Sequence, residues 1–319
     1  MTIPLQPAER LFGTNLVAMA SPMNPDGSLS ASGTDALVDH LLATGCDGLV
    51  VAGTTGESPT LTESESVALV QAVSARASGL GRVIAGVGTY DTAATIRRAR
   101  DAEQAGADAL LVVCPYYSRP TQVGVLAHCL AVADSTELPV MVYDVPARTG
   151  MAIDAATLIE MSAHPRIRAV KDAKGDLFEA MSVMESTSLA YYCGLDELNL
   201  AYLACGATGL VSVIGNVAAE HTGRLIAAVR AGELDSARTI QRSLIGLTEA
   251  MLRTAQGAVM AKSALVHLGV IGHATVRLPL IEAPVVDMQR LVDALTVAGW
   301  PAVSAHSSGQ SRRVRNTGR

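Results

Sequence analysis

One joint occurs three times in this chain. Thr44-Gly45-Cys46-Asp47-Gly48-Leu49-Val50-Val51, Ala105-Gly106-Ala107-Asp108-Ala109-Leu110-Leu111-Val112-Val113 and Cys205-Gly206-Ala207-Thr208-Gly209-Leu210-Val211 each read as a helix closed by glycine, a short turn, and an all-apolar strand. Glycine ends helices because it takes the left-handed conformation without a Cβ clash. A strand apolar at every position is buried on both faces, as in a parallel sheet covered by helices. A joint repeated three times is therefore a signal for stacked βα units.

The remaining strands fall into the same rhythm. Strand starts near residues 15, 48, 82, 108, 139, 167, 189 and 209 give eight units at spacings of ~20–35 residues, and right-handed crossovers close such units into a (βα)8 TIM barrel. The competing architecture is a doubly wound open sheet. It usually carries Gly-x-Gly-x-x-Gly after its first strand, and that pattern is absent. After the eighth unit the pattern is helical only, with segments at 233–254, 258–268 and 284–298. The expected layout is a barrel over residues 10–232, a C-terminal helical extension over 233–300 on the barrel or between subunits, and a disordered basic tail over 301–319.

Composition narrows the partners. Apolar residues make up 49% and charged residues 17%, the balance of a soluble globular protein. No apolar run reaches the length of a membrane span, and residues 1–10 lack a secretory signal. Net charge is −6; four arginines and no acid lie beyond residue 301, so the rest of the chain carries −10. That argues against a nucleic-acid partner. Cys46, Cys114, Cys129, Cys193 and Cys205 are odd in number and never spaced C-x-x-C. They read as buried free thiols in a reducing, cytoplasmic setting. The seven histidines show no metal-ligand spacing, and neither a metal nor another cofactor is expected.

In a (βα)8 barrel the chemistry sits at the C-terminal ends of the strands. The second strand ends in Gly53-Thr54-Thr55-Gly56-Glu57-Ser58, where turn N–H groups and two hydroxyls make an anion cradle. The fourth ends in Cys114-Pro115-Tyr116-Tyr117 and the fifth in Tyr143-Asp144-Val145-Pro146-Ala147-Arg148. The sixth, Ile167-Arg168-Ala169-Val170-Lys171-Asp172, ends in lysine. Only Lys171, Lys174 and Lys262 are lysines, against 21 arginines. Arginine stays protonated near neutral pH, whereas a desolvated lysine can lose its proton and attack a carbonyl to form a Schiff base. Taken singly, each feature has a plain structural role: a tight turn, packing tyrosines, an ion-paired arginine, a solvated lysine. Together they are a carboxylate cradle, phenols for proton transfer, a guanidinium for a second carboxylate, and an amine. Those parts suit a 2-oxo acid activated as an imine and added as its enamine to an aldehyde.

In this order, Gly53 to Ser58, Pro115-Tyr116-Tyr117, Tyr143-Asp144-Val145-Pro146-x-Arg148-Thr149-Gly150 and Val170-Lys171-Asp172 resemble the dihydrodipicolinate synthase / N-acetylneuraminate lyase family over roughly residues 10–300. The resemblance implies a homotetramer, a dimer of dimers. It makes Lys171 the residue that forms an imine with pyruvate. Thr54, Tyr143 and Tyr117 become a proton relay, with Tyr117 reaching a neighbouring subunit's site, and Thr55 holds the pyruvate carboxylate. Gly194 and Val211 match positions that shape the pocket. Arg148 and the Thr-Thr cradle favour the synthase branch, in which that arginine binds the carboxylate of aspartate semialdehyde as the small aldehyde partner. Two other readings remain open: an aldolase of the family acting on a sugar acid or other aldehyde, and a catalytically silent protein that binds a 2-oxo acid. Asp144 stands where many members have Asn, and Cys114 where many have Thr. The positions matching the lysine effector site are Glu63, Ser66, Tyr90 and Ala94, which supply few polar partners for a cationic effector. Weak or absent inhibition by L-lysine is therefore expected, and micromolar potency in a titration would contradict it.

Overall fold

The computed structural model describes residues 7–298, so residues 1–6 and the basic tail expected over 301–319 lie outside the described residues. Its strands are β1 Asn15–Ala18, β2 Gly48–Val51, β3 Arg82–Gly86, β4 Ala109–Val113, β5 Val140–Asp144, β6 Ile167–Asp172, β7 Ala190–Cys193 and β8 Gly209–Ser212. Each pairs in parallel with its sequence neighbours, and β8 returns to β1, closing the barrel in chain order. An open doubly wound sheet is thereby ruled out. Every expected strand start falls within one residue of its observed position.

The repeated joint has one geometry. Gly45, Gly106 and Gly206 all take positive φ, at 88°, 91° and 103°. Two residues later, Asp47, Asp108 and Thr208 donate their N–H groups to Asn15, Val83 and Tyr191 on the preceding strand, at 3.2, 2.8 and 2.8 Å. In the first two joints the aspartate side chain adds a second tether. Asp47 accepts the Asn15 N–H at 2.7 Å and Asp108 the Val83 N–H at 2.9 Å.

Strand parity explains the unbroken apolar runs. Leu16, Val50, Ile84, Leu111, Met141 and Ala169 fill the barrel interior. Val17, Leu49, Val51, Leu110, Val142 and Val170 point outward into the layer packed by helices. A short helix, Pro7–Phe12, stands at the N-terminal end of the barrel. Its Phe12 meets the Tyr192 ring edge-on at 6.1 Å, and Tyr192 Oη donates to Gly13 O at 2.8 Å. The closing seam is polar. Asn15 Nδ2 donates to Gly45 O at 3.0 Å and Ala219 O at 2.8 Å, while its Oδ1 accepts from Thr222 Oγ1 at 2.7 Å.

Beyond the barrel helix Gly215–Arg230 come four helices: Leu234–Ser243, Ile245–Leu252, Gly257–His267 and Val285–Val297. The helical segment expected over 233–254 holds two helices that meet at Leu244. All five cysteines are free. No helix among the described residues is long and apolar enough to cross a membrane.

Candidate active site

A cavity of about 420 Å³ opens where the strands end. Tyr143 and Lys171 are direct register partners on β5 and β6, and both side chains line it. Lys171 Nζ stands 4.1 Å from the centroid of the Tyr143 ring. The amine is nearly closed off, Lys171 being 5% exposed. The other lysines are spoken for. Lys174 pairs with Glu179 at 2.6 Å and Asp144 at 3.5 Å, and Lys262 pairs with buried Glu57. Among the described residues, no carboxylate forms an ion pair with Lys171.

Thr54 and Thr55 line the same cavity. Inside their turn, Glu57 and Ser58 N–H groups donate to Thr54 O at 3.1 Å and Gly53 O at 3.2 Å, and the Thr54 and Thr55 N–H groups enter neither bond. Such a turn offers N–H and hydroxyl donors to an anion. Arg148 stands exposed at the rim on the helical turn Pro146–Thr149, which Gly150 closes at φ +78°. Gly194 lines the wall opposite a packed lysine stem. A Cβ there would lie 3.1 Å from Lys171 Cε and 3.1 Å from Asp172 O. Val211 lies one layer down in the packed interior, and Val213, two residues on and on the same face, borders the cavity. Tyr117 does not line the cavity; it is 92% exposed and left-handed at φ +69°.

The profile of the Dihydrodipicolinate synthetase family matches residues 11–298. The chain belongs to that family. A 4-hydroxy-tetrahydrodipicolinate synthase from Acidothermus cellulolyticus is 48% identical over 301 residues, covering 94% of this chain and 96% of that protein. The crystal structure of a dihydrodipicolinate synthase from Bacillus anthracis superposes with a TM-score of 0.87 at 38% identity, covering 89% of this chain and 98% of that one. A chloride-inhibited dihydrodipicolinate synthase from Acinetobacter baumannii, complexed with pyruvate, gives 0.87 at 31% identity over 90% and 99%.

Two buried titratable groups, Asp144 and Cys114, stand at the ends of the strands beside the site. Burial raises the Asp144 carboxyl to about 6, against the pull of Lys174. Its Oδ2 accepts the Ile153 N–H at 3.2 Å, while Oδ1 is buried without a partner. Burial pushes the Cys114 thiol up to about 12, with the Asp144 charge adding to it, so this sulfur is no nucleophile near neutral pH. Of the residues expected to match an effector site, Glu63 and Ser66 border a separate small cavity, and Arg98 and Arg97 stand 3.7 and 3.9 Å from the Glu63 carboxylate. Two guanidiniums beside that carboxylate oppose entry of a further cation.

The C-terminal helices contribute wall that the sequence did not assign to the site. Leu252, Ala255, Gln256 and Gly257 border the cavity, as do Leu195 and Glu197 after β7. No motif marks these residues. Val213 alone was reachable in advance, from strand parity with Val211.

Proposed function

We propose that this chain condenses pyruvate with L-aspartate 4-semialdehyde, the 4-hydroxy-tetrahydrodipicolinate synthase reaction of diaminopimelate and lysine biosynthesis. The observation that carries the reading is Lys171: a nearly buried amine at a strand end, against the Tyr143 ring, facing the cavity with no carboxylate partner among the described residues. Lys171 Nζ adds to C2 of pyruvate, and the carbonyl oxygen leaves as water to give the imine. Loss of a methyl proton gives the enamine. Its terminal carbon attacks the semialdehyde's aldehyde carbon, whose oxygen becomes a hydroxyl. The amino group of the semialdehyde then displaces Lys171 from the imine carbon, closing the ring and freeing the lysine.

Each proton movement needs a hydroxyl near the imine, the role given to Tyr143 and Thr54. Thr55 takes the pyruvate carboxylate, and Gly194, with Val213 rather than Val211, shapes the space that the lysine faces. Arg148, at the rim, takes the carboxylate of the semialdehyde through its planar fork. Tyr117 completes the relay in a neighbouring subunit of a cytoplasmic homotetramer, a role supported by its exposure and by its not lining its own cavity. The test is Arg148→Ala assayed with aspartate semialdehyde and with sugar-acid substrates. The expected result is a loss of about 10²-fold or more in kcat/KM for the semialdehyde, with the pyruvate imine still formed. An unchanged kcat/KM, or turnover of a sugar acid exceeding that of the semialdehyde in the wild type, overturns the assignment.

A further inference from the structure

The Thr54-Thr55 turn is held from behind by a buried charge cluster that reaches into the C-terminal helices. Glu57, the last residue of that turn, has left-handed backbone at φ +57°. A residue with a Cβ occupies that region only where its surroundings hold it there. Its carboxylate is fully buried and bonded to Lys262 Nζ, itself fully buried on the helix Gly257–His267. The second carboxylate oxygen accepts the Arg277 N–H at 3.0 Å. Lys262 Nζ also donates to Thr275 O at 2.7 Å, so the lysine and the segment 275–277 are tied to each other as well as to Glu57. The Arg277 guanidinium then fans out to Thr60 O at 2.7 Å, Glu65 Oε2 at 2.8 Å and Gly27 O at 2.9 Å. On its other side the turn has a lighter tether, Ser21 Oγ donating to Gly56 O at 2.7 Å.

A buried ion pair is a poor device for stability alone. Desolvating both charges offsets most of their attraction, and an apolar pair of similar volume often does as well. Such a pair does fix direction, because each hydrogen bond accepts only one geometry. Here the bonds converge on Glu57, two residues after Thr55. We propose that Glu57, Lys262 and Arg277 are positioning residues that set the Thr54-Thr55 turn for the 2-oxo acid carboxylate. The C-terminal helices are then part of the catalytic unit through a second layer as well as through the cavity wall. This rests on the reading that the turn receives the pyruvate carboxylate.

The test compares pyruvate KM, kcat and Tm for the single variants Glu57→Leu and Lys262→Met and for the double variant. Each single variant leaves a buried charge or its partner unpaired and should lower Tm. The double variant removes both charges and should recover most of that loss. Positioning predicts that its pyruvate KM stays raised by about tenfold or more, and that the fraction trapped by borohydride at limiting pyruvate falls in step. A structural role predicts that KM returns to the wild-type value together with Tm, and that result overturns the proposal. Should the double variant fail to fold, Glu57→Gln decides. Its amide nitrogen must face either Lys262 Nζ or the Arg277 N–H, both donors, so one clamp bond is lost at nearly unchanged volume; pyruvate KM should rise severalfold in a folded protein, and unchanged KM there overturns the proposal. Thr55→Val runs in parallel. If it raises KM while the clamp variants do not, the clamp alone fails. If Thr55→Val leaves KM unchanged, the cradle reading fails and the clamp with it.

Discussion

Gly194 decides whether Lys171 can stand where it does. An added methyl would press at 3.1 Å on both Lys171 Cε and Asp172 O and at 3.2 Å on Ala173 Cβ. Backbone cannot give way as a flexible tip can, so the lysine stem must move. Gly194→Ala should lower kcat by about 10- to 100-fold, the cost of misplacing a reacting atom by a fraction of an ångström to about 1 Å. Steady-state kinetics beside a circular-dichroism melt checks this, and full activity would show that the stem yields freely. Asp144 makes a different prediction. Burial raises its folded carboxyl to about 6, whereas an unfolded aspartate titrates near about 3.9. The folded state therefore holds the proton more tightly. The resulting stability is fully present below the unfolded value and is lost as pH rises through about 6. Asp144→Asn cannot ionise and should become the more stable form on the alkaline side. The gap should grow by about 1–2 kcal/mol between pH 4.5 and 8, discounted for the lost Lys174 contact. Urea unfolding at the two pH values measures it, and a gap that shrinks or reverses sign would contradict the assignment.

At the scale of elements, the barrel closes through a few polar contacts. Asn15 satisfies Gly45 O, Ala219 O and Thr222 Oγ1 at the β1–β8 seam, with the side chain 3% exposed. Asn15→Ala leaves buried polar groups without partners and should cost about 2–4 kcal/mol. A thermal melt reads that loss; a Tm within a degree of the wild type would mean water or a neighbour replaces the side chain. The sequence carried this fold plainly because its signals are local. The left-handed glycines at 45, 106 and 206 announce their joints, and doubly buried strands need no partner to be recognised. The cavity lining was readable where motif and strand end coincide, at Thr54, Thr55, Tyr143, Arg148 and Lys171. It was unreadable where the wall is assembled by packing. Gln256 reaches the cavity only because the helix Gly257–His267 docks on the barrel, and no local pattern encodes that docking. The Glu57–Lys262 pair spans 205 residues and left one trace in the sequence, the scarcity of lysine.

For the whole molecule, the proposed assembly makes a prediction of its own. Tyr117 is 92% exposed in a chain whose other proposed relay residues line the cavity. Specific activity should fall on dilution as the protomers separate, in parallel with mass measured by sedimentation. A monomer retaining full specific activity would remove Tyr117 from the chemistry. The imine itself is the claim on which everything else stands, and it can be caught directly. Borohydride reduction in the presence of pyruvate, followed by peptide mass spectrometry, should place one pyruvyl-derived adduct on Lys171 and none on Lys174 or Lys262. Folded protein that gains no adduct in excess pyruvate, or gains it on another lysine, would contradict the account.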